Sequence, residues 1–112
     1  MSTAPLLSMD ETLERMSGDR ELLGNLFQLF LDDAPKKLSN IALYAEQGDL
    51  YQIERSAHSL KGASATVGAT LLCQLAADLE KAAKAGAPLT ELRQELARVC
   101  GQTLAAMREF RA

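Results

Sequence analysis

The stretch GDLYQIERSAHSLKGASATVG, residues 48 to 68, decides the architecture. Within it Ile53, Ala57, Leu60, Ser64 and Val67 recur at intervals of three and four residues. That spacing lines one side of an α-helix with apolar or small groups. Gly48 closes the preceding segment, Asp49 with Gln52 three residues on makes an N-cap signal, and Gly68 stops the run. The pattern predicts a helix from about Leu50 to Val67 with one stripe to bury. Such a helix needs partners.

The same period appears on both sides. From Asp19 onward Leu22, Leu23, Leu26, Phe27, Phe30, Leu31, Leu38, Ile41 and Ala45 repeat at helical spacing. Pro35 interrupts them and is expected to kink or split that helix, since it removes a backbone donor and crowds the preceding turn. A further helix is predicted from about Thr70 to Ala85, with Leu71, Leu72, Leu75, Leu79 and Ala82 or Ala83 inward and Gly86 as its stop. Pro88 opens the last one, where Leu89, Leu92, Leu96, Val99, Thr103, Leu104, Met107 and Phe110 keep the period. Upstream, Ser8 and Glu11 read as a capping box for a short helix to about Met16, ended by Gly18. Residues 1–7 are expected to form a flexible tail and residues 8–112 a single domain. The fold class is therefore all-α: an antiparallel up-down-up-down four-helix bundle with a short additional N-terminal helix.

Composition agrees with this and narrows the function classes. The chain has 112 residues, 47% of them hydrophobic but only 4% aromatic, with 3 Pro and no Trp, so Leu, Ala, Ile, Val and a few Phe must build the core. A net charge of −3 lacks the broad basic footprint of a nucleic-acid binder. The opening MSTAPLLSMD has no basic segment or apolar run of secretory type, and no stretch approaches the roughly 20 apolar residues of a membrane span. A cytoplasmic protein is expected, and the initial Met with its tail-like start points to a free-standing one. Cys73 and Cys100 form no C-x-x-C pair and are expected as reduced thiols in the core or on its flank. One His and two Cys offer too few soft ligands for a metal site.

His58 is the one histidine of the chain. At roughly 100° per residue it falls off the core stripe. Glu54 stands one turn before it on the same side, Lys61 and Gly62 one turn after, and Ala65 two turns after. A cation beside an imidazole opposes a second positive charge there, leaves a ring nitrogen free as a nucleophile, and favours an incoming phosphoryl group. The plainer alternative for Lys61 is an ion pair with Glu54 or with an acid from another helix. Gly62 costs the helix about 1 kcal/mol relative to alanine. It points away from the core stripe, which favours close approach of an external partner over close packing of another helix in the bundle. Ser59, Ala63, Ala65 and Thr66 keep the surroundings low and open, as suits docking of a macromolecule rather than a walled substrate pocket.

At these residues the chain resembles the histidine-containing phosphotransfer (HPt) domains of bacterial multistep phosphorelays. His58, Ser59, Leu60, Lys61, Gly62, Ala63 and Ser64, followed by Val67 and Gly68, match that family's signature without departure. GDRELLGNLFQLFLDDAP before the motif, GDL at the head of its helix and LAADLEKAAKAG after it extend the likeness over most of the chain. The resemblance implies that Nε2 of His58 takes a phosphoryl group from an aspartyl phosphate of one receiver domain and passes it to the aspartate of another. It implies that Lys61 stabilises phosphoryl charge and that Glu54, Arg55, Ser59, Gly62 and Ala65 belong to the docking face. Glu80, on the next helix, matches a place where family members carry Gln or Glu; it would hydrogen-bond the imidazole, with a solvated helix residue as the alternative. Ser64 reads as a structural hydrogen-bonding residue rather than a phosphorylation site.

The implied partners are response-regulator receiver domains and a hybrid sensor histidine kinase, with no nucleic acid and no membrane, for a protein acting as a monomer. No cofactor of its own is expected, since the chain has no Gly-rich phosphate loop; Mg²⁺ is expected on the partner receiver. The domain would thus be a phosphocarrier rather than an enzyme with turnover of its own. Alternatives remain within and outside this class. A kinase dimerisation domain would carry an acidic residue and then a proline after its histidine, where this chain has Ser59 and no proline before Pro88. The phosphotransfer module of a hybrid or chemotaxis-type sensor kinase, normally joined to kinase domains, has a closely related motif and fold. A non-catalytic helical adaptor fits the composition, and a small enzyme using His58 as general base lacks a pocket and partner residues.

Overall fold

Two aspartates start two of the long helices. Asp19 accepts a hydrogen bond from the Leu22 N–H at 2.9 Å, and Asp49 accepts from the Gln52 N–H at 3.1 Å. Each satisfies a donor that the first helical turn leaves without a partner. The computed structural model describes residues 4–112, and among them it contains five helices and no strand. They are α1 (Met9–Arg15), α2 (Arg20–Glu46), α3 (Leu50–Thr66), α4 (Thr70–Ala85) and α5 (Thr90–Arg108). α3 lies most extensively along α4; α2 packs on α3 and α5, and α4 also packs on α5. Each of the four long helices thus touches two others around one core.

The α3 stripe is the centre of that core, with Ala57, Leu60 and Ser64 fully buried and Ile53 and Val67 nearly so. The same buried cluster includes Leu23, Phe27, Phe30, Ala34 and Ile41 of α2, Leu72, Ala76, Leu79 and Ala83 of α4, and Leu96, Val99 and Leu104 of α5. Periodicity misplaced some positions. Leu22, expected inward, is 42% exposed, whereas Ala34 and Ala76 are buried. Small residues at close helix crossings carry little hydrophobic signal, so the pattern passes over them. Ser64 is buried as expected, but its Oγ has no hydrogen-bond partner, so its small size, not its hydroxyl, fits the site. Both cysteines are free thiols; burial pushes the Cys100 thiol up to about 11. Among the described residues, no helix is long and apolar enough to cross a membrane.

Pro35 does not split its helix. α2 runs unbroken through it, with the ring on the exposed side, where solvent can hydrate the Leu31 carbonyl that the ring leaves without a donor. At the N-terminus the expected capping box does not form either. The Ser8 side chain makes no bond to the start of α1; its Oγ lies 2.6 Å from Thr70 Oγ1 instead. The Ser8 N–H donates to the Gly68 carbonyl at 2.9 Å, and the Leu71 N–H donates to the Pro5 carbonyl at 3.0 Å. Residues 1–3 of the expected tail lie outside the described residues. Leu6 and Leu7, in its remainder, pack against the core. This N-terminal strap crosses the turn between α3 and α4, and Gly68 is what admits it. Gly68 has φ +73°, and a Cβ there would sit 1.9 Å from Oγ1 of the fully buried Thr12.

Candidate functional site

Off the core stripe, α3 presents His58 to solvent, its side chain 58% exposed. α4 packs alongside and brings Glu80 underneath, its side chain only 12% exposed. One carboxylate then serves two partners. Glu80 Oε2 is 2.9 Å from His58 Nδ1, and Oε1 accepts from Lys61 Nζ at 2.7 Å. The Lys61 hydrogen bond holds the Glu80 carboxyl below its ordinary range against the opposing effect of burial, and the His58 bond adds to the lowering. Ionised Glu80 can only accept, so the proton of this hydrogen bond sits on Nδ1 of His58. In the neutral ring Nε2 then carries the lone pair, and the ring is more than half exposed.

Lys61 pairs with an acid from another helix, one of the two alternatives its position allowed. Glu54, the other candidate, lies 3.7 Å from Nζ of Lys84 instead. The structure therefore brings His58, Lys61 and Glu80 together and flanks them with a second ion pair, in which Lys84 has no sequence signal beyond its charge. Arg55, Ser59, Gly62 and Ala65 are all exposed around the histidine. At Gly62 an added Cβ would meet nothing within 4 Å, so no internal packing requires a glycine there. Beyond it, a groove of about 420 Å³ opens between α2 and α3, with Leu26, Leu29 and Phe30 on one side and Ala63, Thr66 and Val67 on the other. Leu29 is 64% exposed at its edge. Sequence reasoning missed this groove, because Leu26 read simply as part of the core stripe and Leu29 falls outside it. No cluster of metal-ligating side chains occurs among the described residues.

The site is thus a solvent-facing imidazole hydrogen-bonded to a mostly buried carboxylate on an all-helical scaffold. The Hpt domain family model matches residues 25–110, and the chain belongs to that family, whose histidine phosphotransfer in phosphorelays is its function. Its fold is similar to that of histidine-containing phosphotransfer protein B (HptB) from Pseudomonas aeruginosa PAO1, with a TM-score of 0.85 and 24% identity, covering 96% of this chain and 95% of that one. No match emerges among curated proteins.

Proposed function

We propose that His58 is the phosphoryl-carrying residue and that its Nε2 is the reacting atom. The observation that carries this is the Glu80 carboxylate on Nδ1, which leaves the Nε2 lone pair facing solvent. In the forward step that lone pair attacks the phosphorus of a receiver's aspartyl phosphate. The N–P bond forms, the P–O bond to the aspartate breaks, and its electron pair leaves with the carboxylate. The ring keeps its Nδ1 proton, and ionised Glu80 offsets the positive charge that develops there. A second receiver's aspartate reverses these events and restores the free lone pair. Lys61 Nζ, within one turn of His58, offsets charge on the transferred group. Mg²⁺ on the partner receiver supplies further charge neutralisation; this chain contributes a nucleophile and a surface, with neither a nucleotide site nor turnover of its own.

The docking face in this reading comprises Glu54, Arg55, Ser59, Gly62 and Ala65 and continues into the apolar groove between α2 and α3. Its partners are receiver domains, among them that of a hybrid sensor kinase, met by a monomer in the cytoplasm. The scaffold is an antiparallel up-down-up-down bundle. Connections of residues 47–49, 67–69 and 86–89 are too short for a crossover. Moreover, position 58 pairs with 80 while 54 pairs with 84, the opposite stepping of two antiparallel helices. The test is transfer of radiolabel from phosphorylated receiver domains. Label should reach this chain in an acid-labile, alkali-stable form, and His58→Gln should abolish it. Label retained by the His58→Gln protein would refute the assignment.

A further inference from the structure

The face that carries His58 does not end with α3. Ala65 lies seven residues beyond His58, two turns along and within about 20° of the same side, or roughly 10 Å away at 1.5 Å per residue. At its carbonyl sits the last residue of α1: Nη2 of Arg15 donates to the Ala65 carbonyl at 3.3 Å and to Thr12 Oγ1 at 3.3 Å. Arg15 is exposed, and no carboxylate lies within 4 Å of it among the described residues. Its anchor is firm, because Thr12 is fully buried against Gly68 and bonded to the Ser8 carbonyl at 2.7 Å. Arg15 also lies outside the stretch matched by the family model, which begins at residue 25.

We propose that Arg15 is a specificity-determining contact that selects receiver domains presenting a carboxylate opposite it. The proposal rests on the phosphotransfer reading of His58. A protein interface covers about 800 Å² on each partner, a patch roughly 30 Å across. A receiver seated over His58 therefore covers a point 10 Å away along the same helix face. Covering Arg15 strips water from a guanidinium whose protein partners are two neutral oxygens, both bonded through one nitrogen. Its remaining N–H groups need acceptors from the partner, and a carboxylate matches the guanidinium fork. A receiver without one buries an unmatched charge and is rejected, so the contact discriminates by penalty as well as by attraction.

The test compares wild type with Arg15→Gln and Arg15→Glu as acceptors from a panel of radiolabelled phosphorylated receiver domains, at several salt concentrations. For the receiver that labels wild type fastest, Arg15→Gln should lower kcat/KM about tenfold, mainly through KM, and flatten its salt dependence. Arg15→Glu should lower it further, and reversing one receiver carboxylate to arginine should restore transfer to it. Unchanged kcat/KM and salt dependence in Arg15→Gln would overturn the proposal and leave the phosphotransfer reading standing. So would an equal loss toward every receiver that appears in kcat and tracks a lowered melting temperature, since that is what a purely structural contact would give. Absence of label on wild type from every receiver would sink both readings.

Discussion

Replacing Glu80 by alanine should loosen the choice of ring nitrogen at His58. In the folded protein one carboxylate oxygen stands 2.9 Å from Nδ1. A hydrogen bond to a charged acceptor contributes about 1.5–3 kcal/mol, and the exposure of His58 places this one at the lower end. Each 1.4 kcal/mol is a factor of ten, so Glu80→Ala should shift the ratio of Nδ1–H to Nε2–H rings about tenfold toward the latter. With a single histidine in the chain, ¹⁵N ring shifts report that ratio without assignment ambiguity. Transfer onto His58 should fall by a similar factor, in kcat and not in KM, because the docking face is untouched. Glu80→Gln should lie between, since its amide oxygen still accepts from Nδ1 but carries no charge. A wild-type neutral ring with its proton on Nε2, or an unchanged ratio in Glu80→Ala, would refute the reasoning.

Other substitutions separate docking from folding. Gly62→Leu should leave the helix folded and firmer by about 0.5–1 kcal/mol, because an added Cβ meets nothing; it should slow transfer from receivers, and normal rates would show that no partner approaches there. Gly68→Ala must place a Cβ 1.9 Å from Thr12 Oγ1 at positive φ. It should cost at least about 2 kcal/mol, read as a lower midpoint in chemical denaturation. Ser64→Ala removes a buried hydroxyl without a partner and should stabilise by about 1 kcal/mol, raising the melting temperature by about 4 °C. Finally, Glu80 has a carboxyl pKa lowered in the folded state from 4.5. Its ionised form therefore stabilises the fold above that pH, and the contribution is lost as pH falls through the lowered value. The stability gap between wild type and Glu80→Gln should be full at pH 7 and close progressively below pH 4.5.

The parts of this molecule that were legible in the sequence are those governed by short-range rules. The α3 stripe showed itself because burial of one helix face imposes a period, and the Asp49 cap because caps act within three residues. At Pro35 the sequence left a kink or a split open, because the proline's effect depends on which side of α2 the ring faces, a property of the tertiary packing. Ser8 was misjudged for a similar reason: its hydroxyl is engaged by Thr70, 62 residues away. At the site, His58, Lys61 and Gly62 stood out within a single helix. Glu80 was suggested by family resemblance alone, and its two hydrogen bonds, one with His58 and one from Lys61, depend on how α4 lies against α3. Nothing local marked Arg15, whose place beside Ala65 follows from Thr12 packing onto a glycine 56 positions further along the chain.

The central claim concerns one atom, and one measurement addresses it directly. The protein phosphorylated by a receiver domain can be digested in alkali and its phosphohistidine resolved into the Nδ1 and Nε2 isomers. A single product, the Nε2-linked isomer, is predicted, because Glu80 occupies Nδ1. Recovery of the Nδ1-linked isomer, or of phosphate on any residue other than His58, would contradict the account.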